Sequence, residues 1–502
     1  MKNLFAKYIN TVKHAETIHY TGRVTKVQGM LIESHGPQAV IGEICKIKLP
    51  YLKQNILAEV VGLDGTTVKL MAYSETKGIE IDCEVVASGQ VLQVPVGNEL
   101  LGRVLDATGK AIDGKGDVVT GKWYPTTASP PAPLERRQIT ERIVTGVRSI
   151  DSLLSVAKGQ RLGIFAGSGV GKSTLLSMIA RNTNADINVI ALVGERGREV
   201  IDFLERDLGE EGLKRSVVVS STSDQSSIAR LRAGYTATAI AEYFRDQGKD
   251  VMLMFDSVTR FAHAQREIGL ASGEPPAQRG YPPSVFELLP KLLERPGTNQ
   301  FGSITALYTV LVDGDDMDEP IADKVRGTLD GHIVLSRALA HSYHYPAVDI
   351  LSSISRLAKR VTGVQTQKAC GIMRKYIATY ANNEDMISVG AYQKGSDADI
   401  DKAIELHPAI EEFLIQEEFE KVSIVETIQR LGKIVGVEIP ESEYADGMLQ
   451  NNLTNEKSEN DIIEKNEKKN NDDEKNMTED SKDSDEKKSH SKNLKLDNQL
   501  LR

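Results

Sequence analysis

AGSGVGKST, residues 166–174, follows the apolar run LGIFA and opens a helical run, LLSMIAR. A strand, a glycine-rich turn and a helix, in that order, are the setting of a phosphate-binding loop. Gly167, Gly169 and Gly171 let the backbone turn so that its N–H groups point at phosphate oxygens. Ser168, Val170 and Thr174 complete the nucleotide-binding stretch. The helix that follows adds the positive end of its dipole. Lys172 can reach the β- and γ-phosphates, and the Ser173 hydroxyl can ligate Mg²⁺. Ala166 stands where the strict pattern has glycine.

Further apolar runs follow this loop along the chain: VIALV (189–193), VVVS (217–220), VMLMF (251–255), ITALYTVLV (304–312) and HIVLS (332–336). Near-continuous apolar runs are the mark of strands buried on both faces, and their alternation with helical patterns predicts an α/β fold with a mostly parallel sheet. VMLMF ends in Asp256. A carboxylate at the C-terminal edge of such a strand lies beside the phosphate loop, so Asp256 is the expected second metal group, acting on Mg²⁺ through water. VIALVGERGREV places Glu195 just past another buried strand, with Arg196 beside it. A glutamate there can face the γ-phosphate and act as general base.

The rest of the chain has a different texture. Residues 1–20 place Leu4, Phe5, Tyr8, Ile9 and Val12 on one face of a short amphipathic helix. That helix is either packed on its own domain or a docking element for a partner or membrane surface. From 21 to 95, short β-rich runs separated by glycine-bearing turns predict a small β-barrel. Residues 123–139, WYPTTASPPAPLERRQI, carry four prolines and read as an extended strap. The predicted ATPase domain spans 96–378 and the predicted C-terminal helical domain spans 379–446. In the latter, Ser423 and Glu426 fit a capping box, with Ile424, Val425, Ile428 and Leu431 forming one apolar stripe. Residues 447–502 are dominated by Lys, Glu, Asp and Asn, and read as a charged tail that cannot offset chain entropy.

Composition narrows the function. The 502 residues carry 61 Lys+Arg against 71 Asp+Glu, a formal net charge of −10, and the barrel segment lacks aromatics interleaved on a basic face. A nucleic-acid-coating protein needs the opposite, so no nucleic-acid partner is expected. Three scattered cysteines make no disulfide framework and no zinc site. No apolar run approaches the roughly 18 residues of a membrane span, and the N-terminus has no signal-peptide core. A cytoplasmic protein is expected, and any membrane association would be peripheral.

The motifs AGSGVGKST, GERGREV, FDSVTRFAHAQREIGLASGEPPAQRGYPPSVFELLPKLLER, GSITALYTVLVDGDDMDEPIADKVRGTLDGHIVLSR and HYPAVDILSSISR, in this order, resemble the type III secretion ATPase family, whose core is similar to the catalytic subunit of rotary ATP synthases. The stretch AQREIGLASGEPP resembles the flagellar members of the family. The resemblance covers residues 20–440. It implies a RecA-like P-loop core and Mg²⁺-dependent ATP hydrolysis by a homo-hexameric ring at the inner face of the cytoplasmic membrane. Its implied partners are stalk and regulator proteins, export-gate membrane proteins and chaperone–substrate complexes. Residue by residue, Lys172 and Ser173 match the phosphate and magnesium residues, Glu195 the catalytic glutamate and Asp256 the strand-end aspartate. Arg356 matches an arginine finger that enters a neighbour's site, and Tyr345 an aromatic that packs on adenine. Arg196 and Arg260 match accessory arginines. Because one chain carries Lys172, Glu195 and Arg356 together, a ring of identical subunits could complete every site. Competing readings are a ring-shaped nucleic-acid motor, an ATP synthase subunit running the reverse reaction, and a nucleotide-binding scaffold without turnover. The acidic chain, the completeness of the homomeric site and the presence of Glu195 disfavour them in turn.

Overall fold

The computed structural model describes residues 20–444, except 52, 53, 313 and 315. The helix expected at the N-terminus (apart from Tyr20) and the tail expected from 447 lie outside the described residues.

The predicted barrel is present. Six antiparallel strands, Thr21–Gln28, Leu31–His35, Glu43–Leu49, Gln54–Asp64, Thr67–Ala72 and Glu84–Val91, close in the order first, second, fifth, fourth, third, sixth, with the sixth pairing back on the first. Alternating side chains fill the interior, among them Val24, Ile32, Ile47, Val60, Leu70 and Val85. Closure leaves the barrel no free edge.

The central sheet gathers every apolar run singled out above. Its strand order is Val348–Ser355, Gly331–Leu335, Arg161–Ala166, Ser303–Leu311, Asp250–Asp256, Ile187–Val193, Ser216–Ser221, Arg103–Leu105. Along this path all neighbours are parallel except the edge strand Val348–Ser355, which runs antiparallel to Gly331–Leu335. Both faces are covered. Val189, Ala191 and Val193 pack into one core, while Ile190 and Leu192 pack into the other. That two-sided burial is why these strands read as near-continuous apolar runs rather than alternating ones.

The proline-rich strap is pinned across this domain. Arg136 donates to the carbonyls of Glu294 (2.6 Å) and Pro296 (2.8 Å), and Arg137 to that of Asn299 (2.8 Å). The barrel is fastened to the sheet domain by a buried charge cluster. Arg232, on the helix Ser227–Asp246, grips the Glu59 carboxylate of the barrel with two donors, and the Tyr73 hydroxyl donates to the same carboxylate at 2.7 Å. Burial and the Glu59 charge push the Tyr73 hydroxyl well above the usual tyrosine range.

Two sequence expectations are corrected here. The boundary at 378/379 falls inside one continuous helix, Val364–Ser388, because no proline or helix-ending glycine interrupts the periodicity there. The stripe on the helix Ile424–Val435 buries Ile424, Ile428 and Leu431 but leaves Val425 39% exposed, since position 425 lies about 100° around the helix from its neighbour. Of the expected capping box, the Ser423 half is present: its hydroxyl accepts from the Glu426 N–H at 3.1 Å.

Candidate functional site

The strand Arg161–Ala166 lies between Ser303–Leu311 and Gly331–Leu335 and delivers the glycine-rich loop at its C-terminal edge. The loop feeds the helix Lys172–Asn182. Ser168 and Gly169 are exposed, while Val170 is buried as an apolar anchor. Gly171 caps the helix with φ 90°, a left-handed conformation that side chains resist. A Cβ there would also stand 3.4 Å from the Tyr345 ring. The loop therefore curls tightly at the helix start, the geometry that turns backbone N–H groups toward an anion.

Two strands further along the sheet, Asp250–Asp256 ends level with this loop, and Ile187–Val193 ends beside it. Their terminal carboxylates converge on Lys172. The Lys172 ammonium is 2.5 Å from Asp256 Oδ1 and 3.5 Å from Glu195 Oε1. Burial opposes the Lys172 charge, but Asp256 and Glu195 outweigh it and hold the ammonium above its ordinary pKa. Burial and the neighbouring Asp256 charge, opposed by Lys172, push Glu195 up to about 7. A carboxylate poised there can exchange a proton near neutrality, as a general base must. Behind Asp256, the Thr309 hydroxyl donates to Oδ1 at 2.7 Å from the intervening strand.

The structure separates the arginines expected at the site. Arg260 lies close: its stem packs on Gly194, where a Cβ would stand 2.9 Å from Arg260 Cβ, and its buried Nε has no hydrogen-bond partner among the described residues. Gly194 also has φ 75°, so the turn into Glu195 requires glycine twice over. Arg196 faces outward, 3.3 Å from Glu199, and is not brought into the cluster. Arg356 is exposed and farther still. Its N–H donates to the Asp330 carbonyl, and the Asp330 N–H donates to Arg161, at the start of the phosphate-loop strand. Five residue steps of strand, about 17 Å, separate that level from the loop. Arg356 thus lies at the opposite edge of the sheet from its own phosphate loop.

Tyr345 lines an open cavity of about 330 Å³ with Gly171, Thr174, Met178 and Ile415. A mostly apolar cavity beside a phosphate loop suits a purine ring. The cavity's far wall is held in register because the Gln416 N–H donates to the Tyr345 carbonyl at 2.9 Å.

Sequence reading missed Thr309 and the 415–418 wall. Thr309 sits inside ITALYTVLV, one of the near-continuous apolar runs. A hydroxyl in a strand buried on both faces needs a partner, and that need is the signal that could have singled it out. The wall comes from a helix end some 240 residues beyond the loop, with no local motif to mark it.

Models of known families match along most of the chain. The ATP synthase alpha/beta nucleotide-binding domain matches residues 146–355, the beta-barrel domain of the same family residues 24–89, and the type III secretion system EscN ATPase C-terminal domain residues 362–433. The flagellum-specific ATP synthase of Treponema pallidum is 60% identical over 437 residues, covering 87% of this chain and 98% of the relative. The chain belongs to the family of flagellum-specific ATP synthases and type 3 secretion system ATPases. As a family member it is a nucleotide-dependent protein-export ATPase, and the lysine–carboxylate cluster lies within its matched nucleotide-binding domain. The flagellum-specific ATP synthase of Bacillus subtilis is 54% identical, covering 86% of this export ATPase and 98% of its own length. Among solved structures, the assembled ATPase EscN from the enteropathogenic E. coli type III secretion system superposes with a TM-score of 0.79 at 45% identity, covering 82% of this chain and 100% of that one. EscN has also been solved in complex with its central stalk EscO, with a TM-score of 0.77.

Proposed function

We propose that this export ATPase serves a flagellar type III apparatus and hydrolyses MgATP as a homo-hexameric ring, with a stalk protein at its centre. The observation that carries the catalytic half is the cluster at the strand ends, where Lys172, Asp256 and Glu195 meet beside the glycine loop. Lys172 neutralises phosphate charge, and Glu195 orients and deprotonates the attacking water. Tyr345 packs against adenine, and Arg260 offers a free donor near the Glu195 turn.

Among the described residues no group of three His, Cys, Asp or Glu side chains is placed to hold a metal alone. One carboxylate and one hydroxyl suit Mg²⁺, which takes a few protein oxygens and completes its shell with substrate phosphates and water. Ser173 and Asp256 would hold it, and it would screen the negative charge of the β- and γ-phosphates.

Arg356 supports the ring. Lying at the wrong edge of the sheet for its own site, it is available to a neighbour's. The flagellar assignment rests on the relatives from Treponema and Bacillus. Export-gate proteins and chaperone–substrate complexes are the further partners of this reading, with cytoplasmic, membrane-peripheral placement. Among the described residues no helix is long and apolar enough to cross a membrane. Phosphate release at saturating ATP tests the catalytic half: Lys172→Ala should abolish it. Loss of flagella in a deletion strain tests the cellular half, and a normally flagellated deletion strain would defeat it.

A further inference from the structure

Asp256, the carboxylate assigned above to the metal, is almost completely buried at the end of a central strand. Among the described residues, both hydrogen bonds to it fall on one oxygen. Oδ1 accepts from Lys172 at 2.5 Å and from Thr309 at 2.7 Å. Oδ2 is left with its lone pairs unused by either donor. The two donors have different prospects. Lys172 sits on the helix behind the glycine loop and is drawn to phosphate when nucleotide binds. Thr309 is fixed, because it is fully buried on Ser303–Leu311, a strand paired on both sides. Its hydroxyl also lies within 3.3 Å of the Phe255 carbonyl, so the rotor is confined between two acceptors of the neighbouring strand.

We infer that Thr309 is a positioning residue for the metal carboxylate: its hydroxyl holds Oδ1 in place when Lys172 leaves, keeping Oδ2 directed to the ion. This rests on the MgATPase reading above. Without Thr309, the Asp256 side chain is free to follow the departing ammonium or to turn about its last torsion. Either movement withdraws the oxygen the metal needs. A hydroxyl donating to a charged acceptor in a dry setting is strong enough to matter. No local motif marks the position. What singles it out is its place in the register, where Ile164↔Thr309 and Phe255↔Tyr308 set the threonine between the phosphate-loop strand and the Asp256 strand.

The test uses the full-length protein and a fluorescent mant-ADP probe, titrated once with MgCl₂ and once with EDTA. Thr309→Val keeps the shape and removes the hydroxyl, while Thr309→Ser keeps the hydroxyl. The valine variant should weaken Mg²⁺-dependent binding by roughly tenfold, the scale of one charge-assisted hydrogen bond, with little change in EDTA. The serine variant should restore most of it. If Thr309→Val weakens binding equally in both buffers, its role is merely structural and the inference is overturned. Asp256→Asn separates this inference from the reading beneath it. If Asp256→Asn abolishes the Mg²⁺ contribution and Thr309→Val does not, Thr309 is not the positioning residue, while the metal assignment stands. If Asp256→Asn leaves the Mg²⁺ contribution intact, the metal assignment falls and takes the Thr309 role with it.

Discussion

Glu195 sits 3.5 Å from one cation and within the field of another carboxylate, in a half-buried pocket, and the balance leaves its pKa at about 7. The reactive form is the carboxylate. If Glu195 is the base, the free enzyme loses it as pH falls through about 7 and the carboxylate takes up a proton. kcat/KM should therefore drop about tenfold per pH unit below that point and level off above it. A flat profile of kcat/KM between pH 6 and 8 would remove Glu195 from the role. Glu195→Gln keeps the shape and cannot accept the proton, so turnover should fall by roughly 10²–10⁴ while nucleotide still binds. Equilibrium binding measured beside phosphate release distinguishes the two effects. These residues were legible in sequence for a simple reason. Lys172, Glu195 and Asp256 each follow an apolar strand within a few positions, and strand ends in a parallel sheet meet at one edge.

Elements were legible where burial is uniform and obscure where it is shared between distant segments. The barrel and the apolar sheet strands announce themselves by period or by near-continuous apolarity. The cavity at Tyr345 does not, because it is built from the phosphate-loop helix, the turn at Tyr345 and a helix end at Ile415. Only the tyrosine was readable, through resemblance and not through spacing. Replacing it checks the cavity as a unit. Tyr345→Ala should raise the KM for ATP by roughly tenfold, the worth of one aromatic–base stack, and leave kcat nearly unchanged. An unchanged KM in steady-state kinetics would place the adenine elsewhere. The C-terminal helices offer a quieter check. Ser423→Ala removes the cap on Ile424–Val435 and should cost about 1 kcal/mol, visible as a lowered denaturation midpoint with the slope unchanged.

The sheet as a whole has a polarity that no single element reveals. Its phosphate loop and its Arg356 stand at opposite edges, so one copy offers a site at one edge and an arginine at the other. Specific activity should rise with protein concentration. Arg356→Ala should lower turnover by roughly 10³-fold or more with ATP binding nearly intact. Mixing Arg356→Ala with Lys172→Ala chains should recover part of the activity, as some sites then pair an intact loop with an intact arginine. Mixed rings that exchange subunits and stay inactive would count against the arrangement. The barrel enters through its junction with this sheet domain. Glu59 and Arg232 stand 173 positions apart, yet each is buried against the other. Removing one leaves a stranded charge, and a stranded buried charge costs several kcal/mol. Heredity must treat such a pair as one character. A barrel transplanted from a distant cousin would thrive here only if it arrived with an acid at the place of Glu59, and a lineage that drifted at either position would have to drift at both.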